Sequence, residues 1–122
     1  MARTAIALYA FGSRTRPRSP RKNIDMFPDP QGMVGPEAPA AAKGASTFAD
    51  VAKCSLSGHY FLLPAGTDLP DGLGVVEDGR DVWPASKHPA THHTIFPDQQ
   101  MSWDAFVRLI DGLPWQYAGK KT

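Results

Sequence analysis

Ala90-Thr-His-His-Thr-Ile-Phe-Pro-Asp-Gln-Gln-Met-Ser-Trp-Asp-Ala-Phe-Val-Arg-Leu-Ile-Asp-Gly-Leu-Pro114 is the stretch that decides the fold. Its first part, Thr91 to Phe96, is rich in β-branched and aromatic residues, which predicts a strand. Its second part begins at Ser102, a good helix N-cap, and carries apolar residues at the i, i+3, i+4 and i+7 spacing of an amphipathic helix. Gly112 predicts the end of that helix. The stretch therefore predicts a strand followed by a helix that packs on a core.

Shorter apolar segments upstream predict further strands, because turn residues bound each of them. These segments are Ala5 to Phe11, His59 to Leu63, Leu73 to Glu77 and, after the turn signal Asp78-Gly79, Arg80 to Trp83. A second helix is predicted from Ser46 to about Cys54, because Thr47 and Asp50 have the spacing of a capping box. Between the first strand and this helix, the proline-rich segment Ser13 to Gly44 predicts long irregular N-terminal loops.

Length and composition indicate one α+β domain. The 122 residues and the 42% hydrophobic content fit a single core. Four or five short strands predict a mixed or antiparallel β core, and the twelve prolines and eleven glycines argue against a helix bundle. The single cysteine, Cys54, excludes an internal disulfide and fits a reducing, cytoplasmic compartment. No apolar run is long enough for a secretory signal or a membrane span.

Positive charge is concentrated near the start of the chain. Six basic residues and no acid precede Asp25: Arg3, Arg14, Arg16, Arg18, Arg21 and Lys22. Such a basic segment can contact the phosphates of a nucleotide or a nucleic acid, or it can be a solvated loop that keeps the protein soluble. It lacks interleaved aromatic residues and lies among prolines, which disfavours a surface that reads nucleic acid.

Two passages resemble a known family. The first is Ser46-Thr-Phe48 and, after a spacer, His59-Tyr-Phe-Leu-Leu-Pro-Ala-Gly-Thr-Asp-Leu-Pro70; the second is Ala90-Thr-His-His-Thr-Ile-Phe-Pro-Asp-Gln-Gln-Met101. Together they resemble the type VI secretion toxins whose founding member is a bacteriostatic effector neutralised by a small immunity protein. That family carries Pro-x-Gly-Thr-Asp-(Ile/Leu)-Pro and then Ala-Thr-His-x-Thr-Ile-x-Pro. The resemblance extends from Ala45 to Ile110.

The resemblance implies a fold and a chemistry. Members of the family have a fold similar to the catalytic domains of diphtheria-type ADP-ribosyltransferase toxins. The implied small molecule is therefore NAD, and the implied reaction is transfer of ADP-ribose to a macromolecular acceptor of unknown identity. A cognate immunity protein or antitoxin is the implied partner, and the implied place of action is the cytoplasm of a target cell, reached through a secretion system.

Matching positions in the family pattern imply the site residues. The residues implied in catalysis are Ser46, His92 and Thr94. The residues implied in NAD binding are Tyr9, Arg14, Ser46, Phe48 and Thr91. Tyr9 and Arg14 are expected to reach a phosphate from the first strand, and Phe48 to wall the nicotinamide. Alternate residues of a strand face opposite sides, so His92 and Thr94 share one face, and we expect the cleft on that face.

Simpler readings stand beside these roles. Ser46 and Thr47 are also the residue types that cap a helix, and a strand histidine is often a hydrogen-bonded structural residue. His88, His92 and His93 raise the question of a metal, but neighbouring strand residues face apart and no carboxylate or thiol shares a ligand spacing with them. We therefore expect no metal site.

The glutamates leave the reaction open. Transferases of this fold usually place a catalytic glutamate near the last strand of the site, whereas the only glutamates here, Glu37 and Glu77, lie outside the second passage. Transfer of ADP-ribose and hydrolysis of NAD are both compatible with this pattern. The alternative functions are a nucleic-acid-binding module and an interaction module that is ordered by a partner, each using the basic proline-rich segment. No membrane partner is expected.

Overall fold

The computed structural model describes residues 2–37 and 42–122, so residues 38–41 of the proline-rich segment lie outside the described part. The strands are β1 (Leu8–Gly12), β2 (Met33–Val34), β3 (Ala45–Phe48), β4 (Gly58–Leu63), β5 (Leu73–Glu77), β6 (His92–Pro97), β7 (Met101–Ser102) and β8 (Gln116–Lys121). Within these two ranges the helices are one α-helix, α1 (Trp103–Asp111), and a 3-10 turn at Val51–Lys53. Six strands form an antiparallel sheet in the order β5-β6-β3-β1-β4-β8, and β2 pairs with β7 in a separate ribbon. The α+β prediction is confirmed.

One face of the six-stranded sheet, the core face, is aliphatic and is covered by α1. Leu8, Leu63 and Ile95 lie on it and are almost fully buried. Phe106 and Ile110 of α1 pack against them, at 0% and 2% exposure. The helix forms here because an apolar stripe at helical spacing removes more surface from water when it packs against the sheet than any exposed arrangement can.

The predicted terminal helix is confirmed, together with its caps. The Ser102 side chain accepts a hydrogen bond from the backbone N–H of Ala105, and Asp104 lies in the first turn, where the helix dipole favours negative charge. Gly112 ends the helix. No helix in the two described ranges has the length and apolar character needed to cross a membrane.

The opposite face of the sheet, the cleft face, carries aromatic and polar side chains. Phe11 contacts Phe48 with ring centroids 6.1 Å apart, and Tyr60 packs beside Phe11 at 5.9 Å. Register places Ser46 opposite Thr94 and Phe48 opposite His92 on β3 and β6. The two faces alternate residue by residue, as the pleat of a strand requires.

The predicted helix from Ser46 to Cys54 is wrong. Ala45–Phe48 is instead a strand between β1 and β6, and the Thr47 hydroxyl donates to the backbone oxygen of His93 rather than capping a helix. Asp50 does act as a cap, but of the three-residue turn Val51–Lys53, by accepting from the N–H of Ala52. Pairing on both sides supplies the strand with more hydrogen bonds than one capped turn offers.

One further strand prediction is wrong, and one strand was not predicted. Arg80–Trp83 is a turn, in which the N–H groups of Val82 and Trp83 both donate to the oxygen of Gly79. β8 was not predicted from the sequence, because an edge strand exposed on both faces lacks the alternation that marks a strand. It pairs with β4, with an irregularity in register between Tyr60 and Phe61.

The long N-terminal segment is partly built into the fold. Met26 and Val34 are buried in the aliphatic core, and β2 pairs with β7 next to the start of α1. The backbone N–H of Arg18 donates to the oxygen of Phe11, which folds the basic segment back over the end of β1. That path carries several basic residues to the cleft face.

Candidate active site

A buried carboxylate organises the polar end of the cleft face. Asp78 follows β5 directly, and its side chain is 3% exposed. Its Oδ1 lies 2.6 Å from Nδ1 of His92, and its Oδ2 accepts a 2.5 Å hydrogen bond from the hydroxyl of Thr94. Both carboxylate oxygens are therefore engaged by side chains of β6.

Strand register brings these residues together. Glu77 pairs with His93 at the end of the antiparallel β5–β6 ladder. Asp78, which follows Glu77, therefore lies beside His92, which precedes His93. The N–H of Asp78 donates to the oxygen of His92. Gly79 follows because a Cβ at that position would lie 2.9 Å from the backbone nitrogen of His92, closer than real Cβ atoms come.

His88 covers the cluster from the loop between β5 and β6. Its ring stacks on that of His92, with centroids 3.9 Å apart and planes 4° from parallel. Its Nε2 lies 3.7 Å from Oδ2 of Asp78. The loop is held in this position by Ser86, whose hydroxyl donates to the oxygen of Asp78 and accepts from the N–H of His88.

The ionisation of the cluster follows from these contacts. Burial alone raises the pKa of the Asp78 carboxyl, but the hydrogen bonds from His92 and Thr94, with attraction to either imidazole whenever it is protonated, outweigh burial, so its pKa lies below the ordinary value. Burial lowers the pKa of His88, neighbouring His92 lowers it further, and Asp78 offsets only part of the shift. We conclude that Asp78 is ionised and His88 neutral at pH 7.

One atom of the cluster is left free. His92 is 1% exposed, and among the residues that the structure describes its Nε2 is the one buried side-chain nitrogen or oxygen without a hydrogen-bond partner. The edge of its ring meets Phe48, with centroids 5.1 Å apart. Buried polar atoms are nearly always paired, so this unpaired atom requires an explanation.

Two adjoining cavities open on this face. The first, of about 290 Å³, is lined by residues that include Phe11, Arg18, Arg21, Ser46, Phe48 and His92. The second, of about 530 Å³, is lined by residues that include Ile24, Phe27, Lys43, Ser46, Lys87 and Thr94. Asp25, Ser46 and His88 line both cavities. The cavities are therefore neighbours that meet at Ser46, and each combines apolar walls with cationic side chains.

A toxin family matches almost the whole of this chain. The match is to the Tse2 ADP-ribosyltransferase toxin family and covers residues 2–118. The chain belongs to the Tse2 family. No curated protein and no solved structure gives a significant match. The resemblance inferred from the two passages is thereby confirmed, and so is the enzyme class: the protein is a toxin of the ADP-ribosyltransferase type, and enzymes of that type use NAD as substrate.

Four of the residues that the sequence implied at the Tse2-family site come together. Ser46, Phe48 and His92 line the first cavity, and Thr94 lines the second beside Ser46. Ser46 is exposed, whereas His92 and Thr94 are buried and bonded to Asp78. The expectation that His92 and Thr94 face the same side is met by the geometry, and their catalytic roles stay predictions.

Tyr9, Arg14 and Thr91 lie outside the lining of both cavities. Tyr9 is on the cleft face but packs edge-on against Tyr60. Arg14 is exposed in the turn after β1. Thr91 precedes β6 rather than opening it, and its hydroxyl accepts from the N–H of Asp50. A part in NAD binding for these three residues stays a prediction that the cavities do not support.

The backbone of Thr91 is unusual. Its φ is 68°, in the left-handed region that β-branched residues rarely adopt. Its oxygen accepts from the N–H of Ala49, in addition to the side-chain bond to Asp50. These two bonds join the loop after β3 to the start of β6, and so keep Phe48 and His92 side by side.

The two sequence passages of the family serve different purposes. The second supplies the cleft residues of β6, whereas the end of the first, Pro64 to Pro70, anchors the N-terminus. Buried Thr4 donates from its hydroxyl to the oxygen of Pro64 and accepts from the N–H of Thr67, and Arg3 pairs with Asp68 at 2.7 Å. The segment from Pro64 to Pro70 is therefore structural, whereas Ser46 and Phe48 of the same passage line the first cavity.

Several cleft residues were missed by the sequence reasoning. Asp78 was identified only as part of a turn; the register of β5 on β6 was the signal that could have paired it with His92. Arg18 and Arg21 line the first cavity because the chain folds back after β1, and no local pattern distinguishes them from Arg14. Arg21 is held by Asp25, with Nε 3.1 Å from Oδ2.

Asp78, His88 and His92 have the composition of a metal site, with candidate ligand atoms within 4.8 Å of one another. The structure thus supplies a carboxylate that the sequence spacing did not reveal. Imidazole lone pairs lie in the ring plane, however, and the two rings are parallel and stacked. They cannot both direct a lone pair at one ion unless a ring rotates, so the observed arrangement fits a hydrogen-bonded stack better than a preformed metal centre.

Proposed function

We propose that the first cavity binds the nicotinamide end of NAD. We propose that the second cavity holds the remainder of NAD or the group that reacts with it. The observation that carries this proposal is the convergence of Ser46, Phe48 and His92 with two arginines on one cavity, in a member of an ADP-ribosyltransferase toxin family. A cavity of about 290 Å³ is at the small end for a ligand site, and the adjoining 530 Å³ provides the remaining room.

The lining fits the chemistry of nicotinamide release. Phe11 and Phe48 offer apolar walls for the flat nicotinamide ring. Arg18 and Arg21 offer guanidinium groups to the diphosphate, which they can bind in a bidentate way. Ser46, at the junction of the cavities, is well situated to bind the ribose. Positive charge develops on this ribose as the bond from C1′ to the nicotinamide nitrogen breaks, and its electron pair leaves with nicotinamide.

The carboxylate of the reaction is not one of the glutamates. Glu37 pairs with Lys43 at 3.1 Å, and Glu77 is exposed with its carboxylate 3.9 Å from Nε2 of His93, away from the cleft face. Asp25 lines both cavities and is our candidate for stabilising the positively charged ribose. Its engagement with Arg21 means that it acts as part of an ion pair.

In the cell, we propose that the protein acts as a toxin in the cytoplasm of a target cell after delivery by a type VI secretion system. A cognate immunity protein would neutralise it. Membership in the Tse2 toxin family supports these proposals. Hydrolysis of NAD, with water in place of a macromolecular acceptor, is the alternative reaction at the same cavity.

Calorimetric titration of the purified protein with NAD, combined with an assay of nicotinamide release, tests the proposal. Ser46→Ala combined with Phe48→Leu is expected to weaken NAD binding at least tenfold and to relieve growth arrest in a susceptible host. Ser57→Ala, at an exposed serine outside both cavities, is the matched control and is expected to behave as the parent protein. If the parent protein neither binds nor consumes NAD, the proposal is wrong.

A further inference from the structure

We infer that Asp78 is a positioning residue, which holds His92, a residue of the first cavity's lining, in the tautomer with hydrogen on Nδ1 and so leaves Nε2 as the acceptor for a substrate hydroxyl once the substrate displaces its cover. The inference rests on the proposed function, because the substrate is taken to be NAD or the group that reacts with it. It assigns a role to a carboxylate that lies outside the lining of both cavities.

The tautomer follows from the contacts of the carboxylate. Asp78 is ionised, and an ionised carboxylate only accepts hydrogen bonds. Its Oδ1 lies 2.6 Å from Nδ1 of His92, so that nitrogen must carry the hydrogen. The hydroxyl of Thr94 occupies the other oxygen at 2.5 Å, which fixes the plane of the carboxylate and therefore the direction of the imidazole.

The state of Nε2 follows from burial. A neutral His92 exposes a lone pair at Nε2, whereas a protonated His92 would place an N–H donor there. No described residue accepts from this atom, so a hydrogen on Nε2 would be an unpaired buried N–H, which is rarer in folded proteins than an unpaired buried acceptor. The neighbouring ring of His88, stacked at 3.9 Å and neutral, offers a face rather than an acceptor in line with Nε2.

A lone pair at Nε2 selects the chemistry of its ligand. It accepts hydrogen from a hydroxyl and is not a donor to a phosphate or a carbonyl. Two sources can supply the hydroxyl: the ribose of NAD, or the nucleophile that attacks that ribose. In the second case the hydroxyl proton moves to Nε2, its oxygen bonds to C1′, and the bond from C1′ to nicotinamide breaks with the electron pair leaving on nicotinamide.

Nitrogen-15 NMR of the full chain labelled at histidine tests the tautomer directly. The ring signals of His92 are assigned by comparison with His92→Gln, and the spectra are recorded near neutral pH. We expect hydrogen on Nδ1 and a shift typical of an unprotonated nitrogen at Nε2. A signal from the opposite tautomer, or from the doubly protonated ring, would overturn the inference. This result needs no variant of Asp78 to fold.

Asp78→Asn tests the cause of the tautomer. The carboxamide can turn its N–H₂ towards Nδ1, so we expect part or all of His92 to change to the tautomer with hydrogen on Nε2. Nicotinamide release is expected to fall about 10- to 100-fold, by analogy with the loss of a hydrogen-bond partner that orients a metal-ligating histidine. His59→Gln, at a histidine bonded to Tyr117 on the far strands of the sheet, is the matched control for both readouts. An unchanged tautomer in folded Asp78→Asn protein would show that Asp78 does not set it.

Kinetics with NAD as the probe distinguish the two hydroxyl sources. If the hydroxyl belongs to NAD, Asp78→Asn raises KM for NAD and weakens its binding. If it belongs to the nucleophile, kcat falls while KM for NAD stays within about twofold. Equal activity of the variant and the parent protein would contradict both. If the parent protein consumes no NAD, the proposed function fails, whereas the tautomer measurement still decides the role of Asp78.

Discussion

The two faces of the six-stranded sheet are built from the same strands but from opposite kinds of residue. The core face is aliphatic, and α1 seals it with Phe106 at 0% exposure. The cleft face holds aromatic rings, an ionised aspartate and the unpaired Nε2 of His92. Ile95 and Thr94 are neighbours on β6, yet they serve different faces. The pleat of single strands thereby places the aliphatic core and the candidate site on opposite faces, and we expect a substitution on one face to leave the other largely unaffected.

Phe106→Ala should destabilise the packing of α1 on the core face, and it is the substitution with the largest expected effect. Deletion of a fully buried aromatic ring costs about 3–5 kcal/mol of unfolding free energy, because the cavity left behind closes only in part. Urea unfolding followed by fluorescence measures the loss. Nicotinamide release per folded molecule should change little. A loss below about 1 kcal/mol would mean that α1 does not seal the core as described.

His92→Gln should abolish most of the activity that we propose for the cleft face, while the stability of the core changes little. The Gln side chain can still donate to Asp78, so we expect a stability loss of about 1 kcal/mol. Its amide oxygen is far less basic than an imidazole nitrogen and cannot take up a proton, so nicotinamide release should fall about 100-fold if His92 accepts the proton in the reaction. The assay is run on protein shown to be folded by circular dichroism. Retention of more than a tenth of the activity would argue against a role for His92 in the reaction.

Arg18→Gln and Arg14→Gln sharpen the comparison within the basic segment. Arg18 lines the first cavity and Arg14 does not, although they are four residues apart. Loss of one guanidinium–phosphate contact should raise KM for NAD about tenfold in Arg18→Gln, and Arg14→Gln should leave it within about twofold. Equal effects would indicate that the charge of the whole segment matters more than one contact.

The smallest effect concerns pH and the stack of His88 on His92. The pKa of His88 is lowered in the folded protein, so the unfolded chain takes up a proton first as pH falls below the ordinary value of 6.5, and stability decreases. The lowered pKa of Asp78 acts in the same direction, with its contribution lost as pH falls below 3.8 and through the folded value. Thermal unfolding measured from neutral to acidic pH should show this loss of stability. His88→Gln should remove the part of the loss that begins below pH 6.5. A rise in stability on acidification would contradict these shifts.

The parts of the fold that local pattern predicts are those with strong periodicity. The helix α1 and the strands β4, β5 and β6 follow from apolar spacing within each segment. β3 was mistaken for a helix because Thr47 and Asp50 fit a local capping pattern, whereas pairing with β1 and β6 decides its structure. Long-range pairing of this kind leaves little trace in a short segment.

Some residues of the candidate site could be identified from the sequence, whereas others could be identified only from the structure. Ser46, Phe48, His92 and Thr94 were identified through the family passages, and strand alternation gave the shared face of His92 and Thr94. The partner Asp78 depends on the register between two strands, and the proximity of Arg18 depends on the path of a loop. Neither register nor loop path is encoded by spacing alone, so the electrostatic centre of the site became visible only in three dimensions.

The left-handed backbone at Thr91 has a consequence for how the protein opens and for how its sequence can change. A β-branched residue in this conformation costs about 1–3 kcal/mol, which its bonds to Ala49 and Asp50 must offset. Glycine there would relieve the strain but abolish the side-chain bond. At Thr91 the backbone strain therefore opposes the hydrogen bonds to Ala49 and Asp50. We expect the amide hydrogen of Asp50 to exchange with solvent earlier than the amide hydrogens inside β3 and β6. If the toxin changes shape when it binds a ligand, we expect the backbone to move first at Thr91, beside His92 of the candidate site.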